Sequence, residues 1–204
     1  RRPICSIMGL ANLALQSKSD EAGELFEKVS HTAKEMDAIL GKLLVVNEIN
    51  HPESYSAINL KASLENLQET YKKILNEKNI TLITDAEKDL WIHSYPQLLH
   101  FILTNLMDNA IFYCSLKGDE KPEIRIAATE KKDRVELTFF DNGTGIDSNV
   151  REYIWNMFFI GDDRSKGNGL GLYIVLKSVQ AIGGSISVES VKNEYTRFTV
   201  YLPL

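Results

Sequence analysis

The sequence lacks the features that mark several classes of protein. Its 204 residues include only two cysteines, Cys5 and Cys114, and both are expected to be reduced packing residues, as in a cytoplasmic protein. No apolar run approaches the roughly 18–20 residues that a membrane-spanning helix needs. Basic residues do not exceed acidic ones, and the formal net charge of −5 argues against a nucleic-acid partner, because phosphate binding requires a basic surface.

The composition that remains is typical of a soluble globular protein. Hydrophobic residues make up 44% of the chain and charged residues 25%, enough for a proper core in one domain or two. The chain opens with RRPI, without an initiator Met or a signal-peptide pattern. We expect a fragment of a longer parent, with any membrane attachment confined to parts that are not in this sequence.

The first part of the chain, residues 4–50, is predicted to form two helices joined by the polar residues 16–23. Apolar residues recur at spacings of four and three, a narrow heptad stripe suited to a helical bundle. A hairpin of two such helices cannot cover its own stripe. We therefore expect a homodimer that forms a four-helix bundle, with packing against the rest of the chain as the alternative. The stripes comprise Ile4, Met8, Ala11 and Leu15, then Leu25, Val29, Thr32, Met36, Ile39, Leu43 and Val46.

The pattern changes after residues 51–56, which are predicted to be a linker. Over residues 57–204 strands and helices come in blocks, which predicts an α/β sandwich with helices on one face of a mixed sheet. Ser94 is predicted to cap a long helix that has Pro96 in its first turn. Strands are predicted at 57–60, 80–84, 90–94, 123–130, 134–140, 185–190 and 196–202, and helices at 60–75, 96–113 and 171–182.

Two asparagines, Asn105 and Asn109, lie four residues apart in the predicted long helix. This spacing places both amides on the same face. An amide oxygen can ligate Mg²⁺, which takes few protein ligands and completes its shell with phosphates and water. A pair that only caps or faces solvent is equally compatible with the spacing, so the pair alone does not establish a metal site.

The stretch DNGTGI, residues 141–146, follows an alternating strand pattern. Asn142-Gly143 after such a strand is a strong signal for a hairpin turn, but a two-residue turn does not need the second glycine, Gly145. Alternatively, Asp141 accepts a hydrogen bond from an amino group such as that of adenine, and the glycines let the backbone approach a flat ring. Both interpretations remain open on this stretch alone.

The stretch GNGLGLYIV, residues 167–175, places glycines directly before an amphipathic helix. The N–H groups and dipole at such a helix start attract phosphate. The stretch does not fit a Walker P-loop, and the polar residues 162–166 stand where a Rossmann fingerprint needs a strand. The glycines are therefore expected to lie in a long binding loop. Arg164 and Lys166 are candidates to contact a triphosphate, with solvated loop charges as the alternative.

Taken together, and in this order, these motifs resemble those of a known superfamily. NLMDNAIFY, DNGTGI, IWNMFF and GNGLGLYIV resemble the N, G1, F and G2 boxes of the ATP-binding proteins that include gyrase, the heat-shock-90 chaperone, histidine kinases and mismatch-repair ATPases. All four are in the form that histidine kinases use. The resemblance implies a Bergerat-type sandwich with an ATP lid over residues 57–204.

The resemblance also implies roles for individual residues. Asn109 would ligate Mg²⁺ between the phosphates, and Asn105 would assist from the catalytic position where hydrolytic relatives have a Glu. Asp141 would bind the adenine amino group. The full set implied to bind ATP is Asn105, Asn109, Tyr113, Lys117, Asp141, Gly143, Gly145 and Ile146, then Arg164, Lys166, Gly167, Gly169, Leu170, Gly171 and Leu172, with Gly143 and Gly145 beside the purine and the later glycines at the phosphates.

RRPICSIMGL at the start of the chain resembles the tail of the H box, with Arg1 and Pro3 at its Arg and Pro. This implies dimerisation and phosphotransfer helices over residues 1–50, with the phosphoacceptor histidine three residues before Arg1. The chain is thus expected to be a sensor histidine kinase core that binds Mg-ATP, phosphorylates that histidine and serves a response-regulator receiver domain. Without the histidine it is not expected to autophosphorylate.

Two alternatives and two departures from the family pattern accompany this interpretation. A pseudokinase signalling module and a hydrolytic ATPase of the same superfamily are the rivals, and Asn105 in place of a Glu counts against hydrolysis. Phe112 stands where a Lys or Arg is frequent, which removes a candidate phosphate contact. Arg2 stands where a Thr or Asn supports dephosphorylation of the response regulator, so phosphatase activity is expected to be weak or absent.

Overall fold

A computed structural model describes residues 2–16, 19–87, 90–118, 121–161 and 167–204. The chain divides into two compact units, residues 1–47 and 48–204. The second unit includes the last turn of a long helix, where Glu48 Oε2 accepts a hydrogen bond of 2.8 Å from Gln97 Nε2. Within the described ranges, no helix combines the length and apolar character that crossing a bilayer demands.

The first unit is helical. Helix α1 spans Arg2–Gln16 and helix α2 spans Ser19–Asn50. Because α2 begins at Ser19, much of the predicted polar connection at 16–23 is helix instead, and the prediction was wrong there. The predicted stripe residues of α2 are half-buried except Leu43, which is exposed. The helical hairpin and its dimeric four-helix bundle stay predictions.

The second unit contains two sheets. Strands β1 (Ser56–Asn59) and β3 (Trp91–Ser94) form an antiparallel pair. A five-stranded sheet has the order β2-β4-β5-β7-β6. Strands β2 and β4 are parallel and the other neighbours antiparallel, so the predicted mixed sheet is confirmed. Its strands are β2 (Thr81–Ala86), β4 (Glu123–Lys131), β5 (Arg134–Asp141), β6 (Ser185–Val191) and β7 (Tyr195–Pro203).

Three helices complete this unit: α3 (Leu60–Glu77), α4 (Pro96–Cys114) and α5 (Gly171–Ile182). Strands β4, β5 and β7 alternate buried apolar residues with more exposed ones, as expected when one face of a sheet packs on helices. In β5 the core-facing residues are Val135, Leu137 and Phe139. Burying each such side chain contributes about 1.5–3 kcal/mol. Because the side-chain period of a strand is two, Asp141 continues this core-facing row.

The ends of α4 and α5 explain how the site residues are placed. Pro96 occupies the first turn of α4 as predicted, but the cap is Tyr95, without a side-chain hydrogen bond. Ser94 was wrongly predicted as that cap: it pairs with Ser56 as the last residue of β3 and is fully buried. Its hydroxyl thus points into the interior. Helix α5 ends at Gly183, whose φ of 84° suits glycine.

Candidate functional site

Helix α4 presents two amides to the start of α5. A Cβ added at Gly171 would lie 3.3 Å from Asn105 Oδ1 and 3.9 Å from Asn109 Oδ1, so both amide oxygens converge on the first residue of α5. Asn105 Nδ2 donates to the Phe101 carbonyl at 2.8 Å, which orients the opposite, oxygen side of that amide. Asn109 Nδ2 is buried and lacks a hydrogen-bond partner among the described residues. Buried polar atoms are normally paired, so this atom marks a candidate binding position.

The start of α5 is suited to an anion. Leu170 is the N-cap residue and provides no side-chain hydrogen bond. The first backbone N–H groups of a helix have no partners within the helix, and the dipole places partial positive charge there. Asn168 Oδ1 accepts from Leu170 N at 3.2 Å and shapes the turn just before the helix. Phosphate oxygens are the usual ligands of such an end.

Asp141 is the last residue of β5 and belongs to a second part of the candidate site, beside the C-terminal end of α4. Only 5% of it is exposed, and its Oδ1 accepts a hydrogen bond of 3.0 Å from Gly143 N. Burial raises the pKa of this carboxyl to about 7, although the Gly143 N–H and the charge of Lys117 both act to lower it. Perturbed carboxyls of this kind are enriched at functional sites.

Gly143 and Gly145 are packed against backbone. A Cβ at Gly143 would lie 2.8 Å from the Tyr113 carbonyl carbon, and one at Gly145 would lie 2.1 Å from the Val191 carbonyl oxygen. Gly145 also has a φ of 62°. The sequence pattern indicates the approach of a ligand as one cause of these glycines. The structure adds a second cause, the close approach of two neighbouring backbone segments.

The turn between β6 and β7 holds the segment that follows Asp141. Asn193 N donates to the Thr144 carbonyl at 2.7 Å. Lys192 Nζ forms a 2.8 Å ion pair with Asp147, whose carboxyl has its pKa lowered by the hydrogen bond from Lys192. These contacts fix the path of residues 144–147 relative to the end of the sheet.

Two buried hydroxyl residues in this region were missed by the sequence analysis. Thr196 on β7 pairs with Asp141 on β5 and with Ser190 on β6, so the three form a polar row across the end of the sheet. All three are buried. The sequence signal was present: Ser190 continues the core-facing side of Ile186 and Val188. A polar residue in an apolar row needs a partner or a function.

The end of α4 and the loop after it bring further predicted residues to this end of the site. The Tyr113 ring packs edge-on against Phe112 at 5.0 Å. Lys117 Nζ donates to the Glu194 carbonyl at 3.3 Å. The positive charge of Lys117 also acts to lower the pKa of Asp141. Tyr113, Lys117, Asp141 and Gly143 thus lie in one region.

The glycine-rich stretch before α5 is joined to the aromatic stretch 154–159. Phe158 N donates to the Gly169 carbonyl at 2.9 Å. Gly169 has a φ of 68°, and a Cβ there would lie 2.5 Å from the Phe158 carbonyl carbon. The other predicted residues of this stretch lie on either side of Gly169: Gly167 before it, and Leu170, Gly171 and Leu172 after it at the start of α5. Arg164 and Lys166 lie outside the described residues.

Sequence comparisons place the second unit among known proteins. Residues 94–204 match the family model described as "Histidine kinase-, DNA gyrase B-, and HSP90-like ATPase". Heme sensor protein HssS of Staphylococcus saprophyticus is 26% identical over 204 residues, covering 98% of this chain and 43% of that protein. Sensor histidine kinase ZraS of Salmonella typhi is 30% identical over 207 residues, covering 100% of this chain and 43% of that protein. The chain spans less than half the length of these relatives.

A structural comparison agrees with the described architecture. The solved catalytic domain of histidine kinase ThkA has a TM-score of 0.66 at 24% identity, over 74% of this chain and 96% of that one. Identity at this level carries information on the fold alone. The predicted Bergerat-type sandwich with its mixed sheet is therefore confirmed.

Proposed function

Because the chain belongs to the family of histidine kinase-, DNA gyrase B- and HSP90-like ATPases, we propose that it binds Mg-ATP between α4, residues 141–147 and the start of α5. The observation that carries this proposal is the convergence of the Asn105 and Asn109 amide oxygens on Gly171, at a helix start without a side-chain cap. Oxygen ligands for a hard cation and N–H donors for phosphate oxygens then lie side by side.

The base end of ATP is assigned to the region around Asp141. A carboxylate accepts hydrogen bonds, and the exocyclic amino group of adenine donates them. Asp141 is buried, and its Oδ1 already accepts from Gly143 N. The amino group would provide a further donor. A donor that reaches a buried carboxylate favours the charged form, so adenine binding and ionisation of Asp141 support each other.

The phosphate end is assigned to α4 and the start of α5. Asn109 Oδ1, with Asn105 Oδ1 one turn away, would hold a Mg²⁺ ion. Asn109 Nδ2 has no partner among the described residues, which is consistent with a site completed by ligands. When bound, the ion would neutralise charge on the phosphates. The residues of this chain orient the triphosphate: the α5 start binds its oxygens and the Phe158–Gly169 contact positions the preceding loop.

The reaction we propose is transfer of the γ-phosphate to a histidine, and from there to an Asp of a response-regulator receiver domain in two-component signalling. Two facts support this proposal. The relatives include sensor kinases, and position 105 is an Asn, whereas a hydrolytic relative has a Glu there to activate water. We infer an acceptor three residues before Arg1 from the resemblance of residues 1–10 to the tail of an H box. The 204 residues alone would then bind ATP without autophosphorylation.

We assign residues 4–50 to homodimerisation and the kinase core to the cytoplasm. Large apolar side chains on the helices of the first unit are exposed, among them Leu40 at 50% and Leu44 at 65%. Exposed apolar surface on a helix with a heptad stripe favours association with a second copy. Arg2 supports the further proposal that the core dephosphorylates its response regulator weakly or not at all.

The test is ATP binding followed by phosphotransfer. Asn109→Ala should abolish Mg-dependent ATP binding in calorimetry, while Asn66→Ala on the exposed side of α3 should bind like the wild type. A chain extended upstream through the H box should incorporate label from γ-labelled ATP that survives alkali but not acid. Loss of that label in Asn109→Ala supports the proposal, and ATP turnover without any acceptor would contradict it.

A further inference from the structure

Ser190 is a buried hydroxyl with an unusually complete set of contacts. It is only 4% exposed. Its Oγ donates to the Tyr195 carbonyl at 2.7 Å, accepts from Ile146 N at 2.8 Å, and lies 3.3 Å from Thr196 Oγ1. A hydroxyl has one donor and two acceptor positions. All three are therefore used, and the hydroxyl has a fixed orientation.

The contact with Ile146 joins Ser190 to the segment that follows Asp141. Thr144 is held on one side of Gly145 by Asn193 N, and Ile146 is held on the other side by Ser190. Gly145 itself lies against the Val191 carbonyl. The backbone of residues 144–146 is thus fixed at one end to the β6–β7 turn and at the other end to β6, where the side chain of Ser190 makes the contact.

A second contact extends the influence of Ser190 beyond this segment. Its backbone carbonyl accepts a hydrogen bond from the Arg151 guanidinium. Residues 146 and 151 are therefore both attached to the same position of β6. Removal of the Ser190 hydroxyl leaves this second contact in place, since a backbone atom makes it. An alanine substitution would thus release the Ile146 amide, together with the Tyr195 and Thr196 contacts on β7, while Arg151 stays attached.

We propose that Ser190 is a positioning residue for nucleotide binding: its hydroxyl, held by the Tyr195 carbonyl, fixes the Ile146 amide and with it the path of residues 143–146 beside Asp141. This inference rests on the proposed function, since residues 143–146 are assigned there to the base end of ATP. Ser190 itself does not need to touch the ligand. It acts by holding the backbone that does.

The chain offers matched controls for this proposal. Ser94 and Ser178 are also buried serines, both fully so, and their hydroxyls have no hydrogen-bond partner among the described residues. Ser94 ends β3 and Ser178 lies within α5. Replacing either by Ala removes the same atom from a buried position without releasing a backbone amide. The difference from Ser190→Ala therefore reports the loss of the Ser190 hydrogen bonds, of which the one to Ile146 reaches residues 143–146.

The experiment is calorimetric titration of the full chain with Mg-ATP and with adenosine. Ser190→Ala should raise Kd for both ligands about tenfold, equivalent to about 1.4 kcal/mol, because both engage the base end. Ser94→Ala and Ser178→Ala should stay within about twofold of the wild type. An equal loss for ATP and adenosine separates base positioning from general loosening, which would weaken the phosphate contacts as well.

The outcomes distinguish this inference from the proposed function. Wild-type protein that binds no ATP would defeat the proposed function itself. Ser190→Ala that binds like Ser178→Ala, or that loses ATP but retains adenosine, overturns the inference alone. If Ser190→Ala does not fold, Ser190→Cys fills the position with a slightly larger sulfur that forms weaker hydrogen bonds. Weaker binding of both ligands by that variant supports the inference, and wild-type affinity overturns it.

Discussion

Two glycine-containing segments flank the candidate ATP site, and they are held in different ways. Residues 141–147, the base segment, are attached to β6 and the β6–β7 turn by hydrogen bonds on both sides of Gly145 and by the Asp147–Lys192 ion pair. Residues 167–171, the phosphate segment, are joined to residues 158–159 at Gly169 and continue directly into α5.

The two segments thus illustrate two ways in which a fold can fix the geometry of a binding site. The base segment is part of the packed end of a sheet, so its geometry depends on the folded core. The phosphate segment depends on a helix start and on a contact between two loops. Changes to the backbone packing of the base segment should therefore lower stability and affinity together, whereas changes in the phosphate segment should lower affinity with a smaller loss of stability.

The strongest test of this difference is Gly145→Ala. The new Cβ would lie 2.1 Å from the Val191 carbonyl oxygen in a residue with φ of 62°. We expect unfolding free energy to fall by about 4 kcal/mol, from overpacking together with the left-handed backbone. Denaturant titration measures this change, and ATP affinity should fall with it.

Gly183→Ala is the matched control for that substitution. Gly183 has a φ of 84°, yet a Cβ there meets nothing within 4 Å in the described part of the chain. It should cost about 1–2 kcal/mol from the backbone conformation alone. Equal destabilisation by the two variants would contradict the view that the base segment is held by close backbone packing.

Asp141→Asn tests whether the buried carboxylate proposed for adenine binding lowers the stability of the fold. Its folded pKa is raised from 3.8 to about 7, so the stability contribution of Asp141 is fully present below pH 3.8 and is lost as pH rises through about 7. Asn stays neutral and avoids this loss. We expect the variant to be about 2 kcal/mol more stable than the wild type at pH 8, with the advantage shrinking towards pH 4. Thermal unfolding across this pH range, together with weakened ATP binding, is the measurement.

A wild-type stability advantage at pH 8 would contradict the burial argument for Asp141. The comparison with Asp147 provides an internal control. The Asp147 side chain is partly exposed, and the hydrogen bond from Lys192 lowers the pKa of its carboxyl. Asp147→Asn should therefore lose, rather than gain, a small amount of stability at pH 8.

Gly169→Ala probes the phosphate segment. Its Cβ would lie 2.5 Å from the Phe158 carbonyl carbon, so the contact between the two loops must open. We expect ATP affinity to fall about tenfold, or about 1.4 kcal/mol, with unfolding free energy close to that of Gly183→Ala. Adenosine, which has no phosphates, should bind as it does to the wild type. A large loss of stability would show that this loop is as tightly bound to the core as the base segment.

The same contrast explains what sequence patterns can predict. Asn105, Asn109 and the strand ending at Asp141 follow from local periodicity, and the structure brings the two amides together as the spacing predicts. Ser94 was misassigned because its buried direction depends on pairing with Ser56, a residue far away in sequence. The local sequence pattern around Ser94 does not indicate which distant strand it pairs with.

Ser190 shows the same limit within the site. Its position in the core-facing row is visible in the sequence, but its partner Ile146 lies 44 residues away. The packing of Gly145 on Val191 likewise depends on strand register. Helix-based parts of the site were therefore predictable, whereas the support of the base segment required the three-dimensional fold.

The smallest expected effect concerns Lys117, whose charge lowers the pKa of Asp141. Adenosine affinity should fall as the carboxyl is protonated below about pH 7, and adenosine avoids the titration of ATP phosphates. Lys117→Met removes the positive charge while keeping an apolar side chain of similar length, so the midpoint of this pH profile should move upward by a few tenths of a pH unit. Asp141→Asn should show no such profile. A midpoint that moves downward in Lys117→Met would mean that Lys117 acts on the base segment through its Glu194 contact rather than through its charge.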